Sequence, residues 1–119
     1  MIYDSFEAGL RAVLFDWQEE AMRVLWDMKD GANSRTVYDK VNEKIRPKTI
    51  SRASIINFLE EMREQKILNG SDKTGRGGHH WVYTAALSES EFKQYIAEKI
   101  IGSLKKNFPK ELEQVLKKY

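Results

Sequence analysis

Apolar residues recur at helical spacing from the start of the chain to about residue 65. The spacing predicts a short helix over residues 6–14 and longer helices over residues 16–31, 34–46 and 51–65. Asp16, Ser34 and Ser51 each stand where a side-chain oxygen can cap the first turn of a helix. Pro47 ends the helix before it, because the residue preceding a proline avoids the helical conformation.

The helix predicted over residues 51–65 has two different faces. Its apolar residues fall within one narrow arc, which is expected to pack on the core: Ile55, Phe58, Leu59 and Met62. Small polar residues and one arginine occupy the first two turns outside that arc. Glu60, Glu61 and Glu64 make the second half acidic. The first half of the helix is therefore the part suited to a negatively charged partner.

Beyond Lys66 the periodicity changes to that of strands. Residues 67–72 alternate, residues 74–78 form a glycine-rich turn, and residues 79–84 are aromatic and β-branched, which together predict a β-hairpin. Three helices followed by a hairpin is the order of elements in a winged helix-turn-helix domain. The predicted fold class is mainly α with a small β-hairpin (α+β), with extra helices at both ends.

Residues 88–119 return to helical spacing and carry a long apolar stripe. The stripe is larger than a lone terminal helix can hide, so we expect burial against a second copy of the chain. The residues expected to form a homodimer contact are Phe92, Ile96, Ile100, Leu104, Leu112 and Leu116. The alternative is packing of the stripe within the chain, against the first helices.

Composition excludes several classes of site. The chain of 119 residues has no cysteine, which rules out disulfides, zinc–thiolate sites and thiol catalysis. No phosphate-binding loop, HExxH motif or nucleophile elbow is present, so neither an enzyme nor a cofactor is expected. His79 and His80 are adjacent on a strand and point to opposite faces, so we expect no metal site.

The start of the chain does not resemble a signal peptide, and no apolar run approaches the roughly 20 residues of a membrane span. A cytoplasmic location without membrane contact is expected.

Charge is unevenly distributed along the chain. Residues 1–34 contain three basic and seven acidic residues, whereas residues 35–87 contain ten basic and six acidic residues. Lys44, Arg46 and Lys48 precede the helix at residues 51–65, and Lys73, Thr74 and Arg76 lie at the predicted hairpin tip. Such a distribution is typical of a surface that binds a polyanion.

In a winged helix the third helix enters the DNA major groove and presents its N-terminal residues to the bases. Here those residues are Ser51, Arg52, Ser54 and Asn57. Arginine can bond guanine through two hydrogen bonds, and asparagine can do the same with adenine. The basic residues before the helix and at residues 73–78 would contact the backbone or the minor groove. The alternative is that Ser51 only caps the helix while Arg52 and Asn57 are solvated.

Two stretches resemble the penicillinase repressor family of winged-helix regulators. They are WQEEAMRVLWDMKDGANSRTVYDKVN, which includes the Leu25–Trp26 pair, and SRASIINFLEEMREQKIL. The resemblance covers residues 16–87, with a weaker match beyond, and residues 1–15 have no counterpart. It implies a homodimer that binds a palindromic operator in double-stranded DNA and represses adjacent genes, with the dimer made by the C-terminal helices.

The expected organisation is an N-terminal helical extension (1–15), a winged-helix DNA-binding domain (16–87) and a C-terminal dimerisation region (88–119). The expected function is a DNA-binding transcriptional regulator, with a protein–protein interaction module of the same fold as the alternative.

Overall fold

The computed structural model describes residues 2–75 and 78–119, with the backbone alone described at residues 73–75 and 78–80. A short 3-10 helix comes first, and the other elements follow it in chain order: Gly9–Ala12 (3-10), α1 Asp16–Asp27, β1 Ala32–Asn33, α2 Ser34–Ile45, α3 Arg52–Glu64, β2 Leu68–Gly75, β3 Gly78–Ala85, α4 Glu89–Asn107 and α5 Pro109–Leu116. The chain divides into two compact units, Met1–Ser88 and Glu89–Tyr119. The predicted α+β winged-helix fold is confirmed.

The core of the first unit lies among α1, α2 and α3. Helix α1 packs on α2, α2 packs on α3, and α1 also contacts β3. The four apolar residues predicted for the inner arc of α3 are all buried, as expected from their spacing. Trp17 meets Phe58 edge to face, with 5.5 Å between the ring centroids. This packing leaves the opposite side of α3 facing outward.

The sheet has three antiparallel strands in the order β1-β3-β2. The predicted hairpin is present, with pairing from Leu68↔Ala85 to Gly75↔Gly78. Strand β1 was not predicted, because two residues are too few to show a periodicity. Gly31 precedes it with φ +96°, and a Cβ there would lie 2.7 Å from Cγ1 of Val82. Glycine is therefore required for β1 to reach β3.

The structure places the N-caps of two helices one residue earlier than the sequence predicted. The side chain of Asn33, rather than Ser34, caps α2 by accepting the Thr36 N–H at 2.9 Å. Asp16 is the first helical residue of α1, and the preceding N–H of Phe15 donates to the Gln18 side chain at 2.9 Å. The predicted cap of α3 is confirmed, since Oγ of Ser51 accepts the Ser54 N–H at 3.1 Å.

The short helix predicted before Asp16 is reduced to a single turn in the structure. Only Gly9–Ala12 is helical, and that turn is a 3-10 helix. Gly9 has φ +61°, which an α-helix does not accept, so the chain turns there instead. Leu10 and Leu14 are buried, but the side chain of Phe6 is 99% exposed.

The second unit consists of α4 and α5. Pro109 begins α5, where its missing N–H costs nothing. Of the residues predicted to form the dimer contact, Phe92 is fully buried. The other predicted contact residues are half-buried or exposed: Ile96, Ile100, Leu104, Leu112 and Leu116. Among the described residues, no helix combines the length and apolar character that a bilayer crossing requires.

Candidate nucleic-acid interface

The turn between α2 and α3 is held by one side chain. Oδ1 of Asn42 accepts the Ile50 N–H at 2.8 Å, and its Nδ2 donates to the Ile50 carbonyl at 3.2 Å and to the Tyr38 carbonyl at 2.9 Å. A side-chain amide thus satisfies both backbone polar groups of Ile50, the residue just before the cap of α3. Asn42 thereby fixes where α3 begins relative to α2.

The start of α3 presents its polar residues to solvent. Ser51, Arg52 and Asn57 are exposed and Ser54 is half-buried, with 2.9 Å between the Oγ atoms of the two serines. We call these four residues the recognition surface. The Ser54 N–H is already bonded by Ser51, so it is not free to receive a phosphate. The guanidinium of Arg52 has no hydrogen-bond or ion-pair partner among the described residues.

Lys44, Arg46 and Lys48, which we call the basic flank, are all exposed on the approach to α3. In the part of the chain that the structure describes, no carboxylate pairs with Lys44 or Arg46. Lys48 differs, because its Nζ is bonded to the carboxylate of Asp16 at the start of α1. The bond from Lys48 lowers the pKa of Asp16. Two of the three charges are therefore uncompensated.

The acidic half of α3 is tied to the hairpin. Oε2 of Glu60 accepts a hydrogen bond from the Tyr83 hydroxyl at 2.6 Å, and its Oε1 accepts one from Arg63 at 2.9 Å. The bonds from Arg63 and then from Tyr83 lower the pKa of Glu60. Burial, followed by the bond to Glu60, raises the pKa of Tyr83. The side chain of Glu60 is thus turned toward β3.

Arg63 extends this contact to a second aromatic residue of β3. Its guanidinium carbon lies 5.0 Å from the ring centroid of Trp81, within the range of a cation–π interaction. Gly70 of β2 leaves the space for it, since a Cβ there would lie 2.5 Å from Cδ of Arg63. The α3–hairpin junction, formed by Glu60, Arg63, Trp81 and Tyr83, sets the direction in which the hairpin leaves α3. Trp81 and Tyr83 of β3 thus both contact α3.

The predicted hairpin-tip residues are only partly described. Lys73 and Thr74 lie on β2, paired with His80 and His79, and the structure describes only their backbone. Arg76 lies outside the described residues. In the described residues, no group of histidines and carboxylates could hold a metal ion. The side chains of His79 and His80 fall outside that description.

Sequence reasoning missed Asn42 and the α3–hairpin junction. An asparagine inside a helix does not by itself indicate a contact with a distant residue, because its side chain readily bonds backbone groups nearby. Its eight-residue reach to Ile50 depends on the path of the turn, which periodicity does not show. The bond between Glu60 and Tyr83 depends on the packing of α3 against β3, across 23 residues of chain.

Comparisons with known proteins give a family match and a solved structure of similar fold. The sequence matches the penicillinase repressor family over residues 15–118. A possible transcriptional regulator from Methanosarcina mazei Go1 has a similar structure, with a TM-score of 0.61 and 16% sequence identity over 85% of this chain and 78% of that chain. At this identity the likeness shows the fold alone. No curated protein matches the chain.

The family match spans both units of the structure and includes α1 to α3, where the two resembling stretches lie. The family is one of repressors, which are transcriptional regulators. The chain belongs to the penicillinase repressor family of DNA-binding transcriptional regulators.

Proposed function

We propose that this protein is a homodimeric repressor that binds a palindromic operator in double-stranded DNA, with the first two turns of α3 in the major groove. The proposal rests on the exposure of polar side chains at the start of α3. Arg52 and Asn57 are exposed there, and Arg52 has no partner among the described residues. A guanidinium left unpaired beside a polar helix start is suited to bond the edge of a guanine.

The basic flank supports the same orientation. Lys44 and Arg46 stand just before α3 and carry uncompensated charge, so they can neutralise phosphates beside the groove that α3 enters. Phosphate contacts of this kind position the protein on DNA, whereas base contacts supply the sequence preference. Lys73, Thr74 and Arg76 would add contacts to the backbone or the minor groove from the hairpin.

The acidic half of α3 limits how far the helix enters. Glu61 and Glu64 are exposed and would be repelled by phosphates lining the groove. Glu60 is withdrawn from that role by its bonds to Tyr83 and Arg63. The part of α3 that can approach bases is therefore residues 51–57.

The second unit supports the dimer. Ile101, Val115 and Leu116 are each about half-exposed apolar side chains on α4 and α5. Apolar helix surface of this kind is removed from water when two copies associate. A two-fold dimer would present two copies of α3 to two half-sites of opposite orientation, which is the symmetry of a palindromic operator.

Selection from a pool of random double-stranded oligonucleotides with the purified protein tests the proposal. We expect enrichment of an inverted repeat with half-site centres about 10 base pairs, or a multiple of this, apart. The double variant Arg52→Ala/Asn57→Ala is the matched control and should enrich no consensus at the positions read by those residues. Failure of the wild-type protein to enrich any sequence would overturn the proposal and favour a protein–protein interaction module.

A further inference from the structure

We infer that Ile56 contacts the C5 methyl group of a thymine in each half-site of the operator and so helps to determine sequence specificity. The inference rests on the proposed function, because it requires α3 to lie in the major groove. Ile56 is the only large apolar residue of α3 that is exposed, with 37% of its surface accessible. Every other large apolar side chain of α3 is buried: Ile55, Phe58, Leu59 and Met62.

Single exposed apolar residues are common on protein surfaces and need no explanation by themselves. The exposure of Ile56 is informative because of where the residue lies on α3. It follows Arg52 by four residues, so the two side chains lie on the same side of the helix, and it directly precedes Asn57. Ile56 is therefore placed among the residues of the recognition surface rather than on an unrelated face.

The chain does not cover Ile56 although it covers the same side of α3 one turn later. Glu60 and Arg63 are engaged by Tyr83 and Trp81 of β3. Ile56 lies just before that junction and remains accessible. The hairpin thus covers Glu60 and Arg63 on this side of α3. It leaves Ile56, one turn after Arg52, exposed.

The chemistry of the major groove provides one apolar group. Thymine presents its C5 methyl there, whereas the other groove positions present donors and acceptors. A β-branched side chain on a helix has a nearly fixed rotamer, so isoleucine loses little freedom on making such a contact. Four residues of helix correspond to about 6 Å, or about two base steps. The thymine should lie about two base pairs from the guanine bonded by Arg52.

Replacing each thymine of the selected operator by deoxyuridine tests the inference, because this removes the methyl group and leaves the hydrogen-bonding groups unchanged. Binding would be measured by fluorescence anisotropy with wild-type protein, Ile56→Ala and the control Asn57→Ala. We expect one position per half-site at which deoxyuridine raises the Kd of the wild-type protein about fourfold, the effect of burying one methyl group. Asn57→Ala should show the same sensitivity and Ile56→Ala should show none.

The wild-type titrations alone can refute the inference, since they require no variant to fold. Insensitivity to deoxyuridine at every thymine, or an unchanged sensitivity in Ile56→Ala, would overturn it while leaving sequence-specific binding intact. Absence of binding to any duplex would overturn the proposed function as well, so the two failures are distinguishable. Alanine has the highest helix propensity, and Ile56→Ala should retain the helix content of the wild type by circular dichroism.

Discussion

The side-chain amide of Asn42 pairs with both backbone polar groups of Ile50, at 2.8 Å and 3.2 Å. The pair joins the body of α2 to the residue before the Ser51 cap, and thereby holds α3 in place from its N-terminal end. At the other end of α3, Glu60 and Arg63 hold it against the hairpin. The recognition surface lies between these two attachments, which orient it without using its own side chains.

Asn42→Ala should weaken both folding and DNA binding. Loss of the amide leaves the Ile50 N–H and carbonyl without their partner, at an expected cost of about 1–3 kcal/mol in the free energy of unfolding, measured by urea denaturation. Asn42→Asp is the matched control, because it keeps an acceptor for the Ile50 N–H but loses the donor, and its loss should be smaller. Equal stability of wild type and Asn42→Ala would show that the turn is held by other contacts.

Acidification should destabilise the protein through Glu60. Its pKa is lowered in the folded state by Arg63 and Tyr83, so the ionised form stabilises the fold. This stabilisation is fully present above pH 4.5, the ordinary pKa of a glutamate. It is lost as the pH falls through the lower pKa that Glu60 has in the folded state. Thermal unfolding of wild type and Glu60→Gln between pH 7 and about pH 3 should show a smaller pH dependence in the variant.

Glu64→Gln is the control for this measurement, because Glu64 is an exposed carboxylate on the same helix. Its pH dependence should follow the wild type. If Glu60→Gln also retained the full wild-type loss of stability below pH 4.5, the α3–hairpin junction would not be the source.

The basic flank should control how steeply DNA affinity falls with salt. Each phosphate contact contributes about 0.9 to the slope of log K against log salt concentration, so a substitution present twice in a dimer should lower it by about 1.8. Lys44→Gln and Arg46→Gln should each show this effect on operator and unrelated DNA alike. Lys48→Gln should lower the slope less, because Lys48 is already bonded to Asp16. An effect confined to the operator would contradict a phosphate role.

Substitution of Leu116 should dissociate the proposed dimer. The side chain of Leu116 is 52% exposed in one chain, so Leu116→Asp costs the isolated unit little but places a charge in an apolar contact between copies. We expect a monomer by sedimentation velocity at micromolar concentration. Lys117→Gln is the control, because it lowers the charge of an exposed neighbour by the same one unit, and it should remain dimeric. A dimer of Leu116→Asp would place the interface elsewhere.

The sequence was sufficient for the elements that are defined by local periodicity. The inner arc of α3 and the Ser51 cap were predicted correctly, because both depend on residues within one or two turns of each other. The helix before Asp16 is shorter than the apolar spacing suggested, because that spacing does not reveal the positive φ of Gly9. Strand β1 was missed because it exists only through pairing with β3, about fifty residues away in the chain.

The sequence likewise predicted only the part of the candidate site that depends on local spacing. The exposure of Arg52 and Asn57 follows from the helical pattern, and the structure agrees with it. The pairing of Lys48 with Asp16 joins residues 32 positions apart and could not be read from the run of basic residues. The accessibility of Ile56 beside Arg52 depends on where the hairpin covers α3, which helical spacing does not show.

The most direct test of the account is a comparison of wild type and Arg52→Ala on the selected operator and on operators changed one base pair at a time. Wild type should lose about 5- to 150-fold in affinity when the guanine opposite Arg52 is replaced, the value of one bidentate contact. Arg52→Ala should bind the original and the changed operator equally at that position, and should keep its preferences elsewhere. An Arg52→Ala protein with the full wild-type preference at every position would contradict the placement of α3 in the major groove.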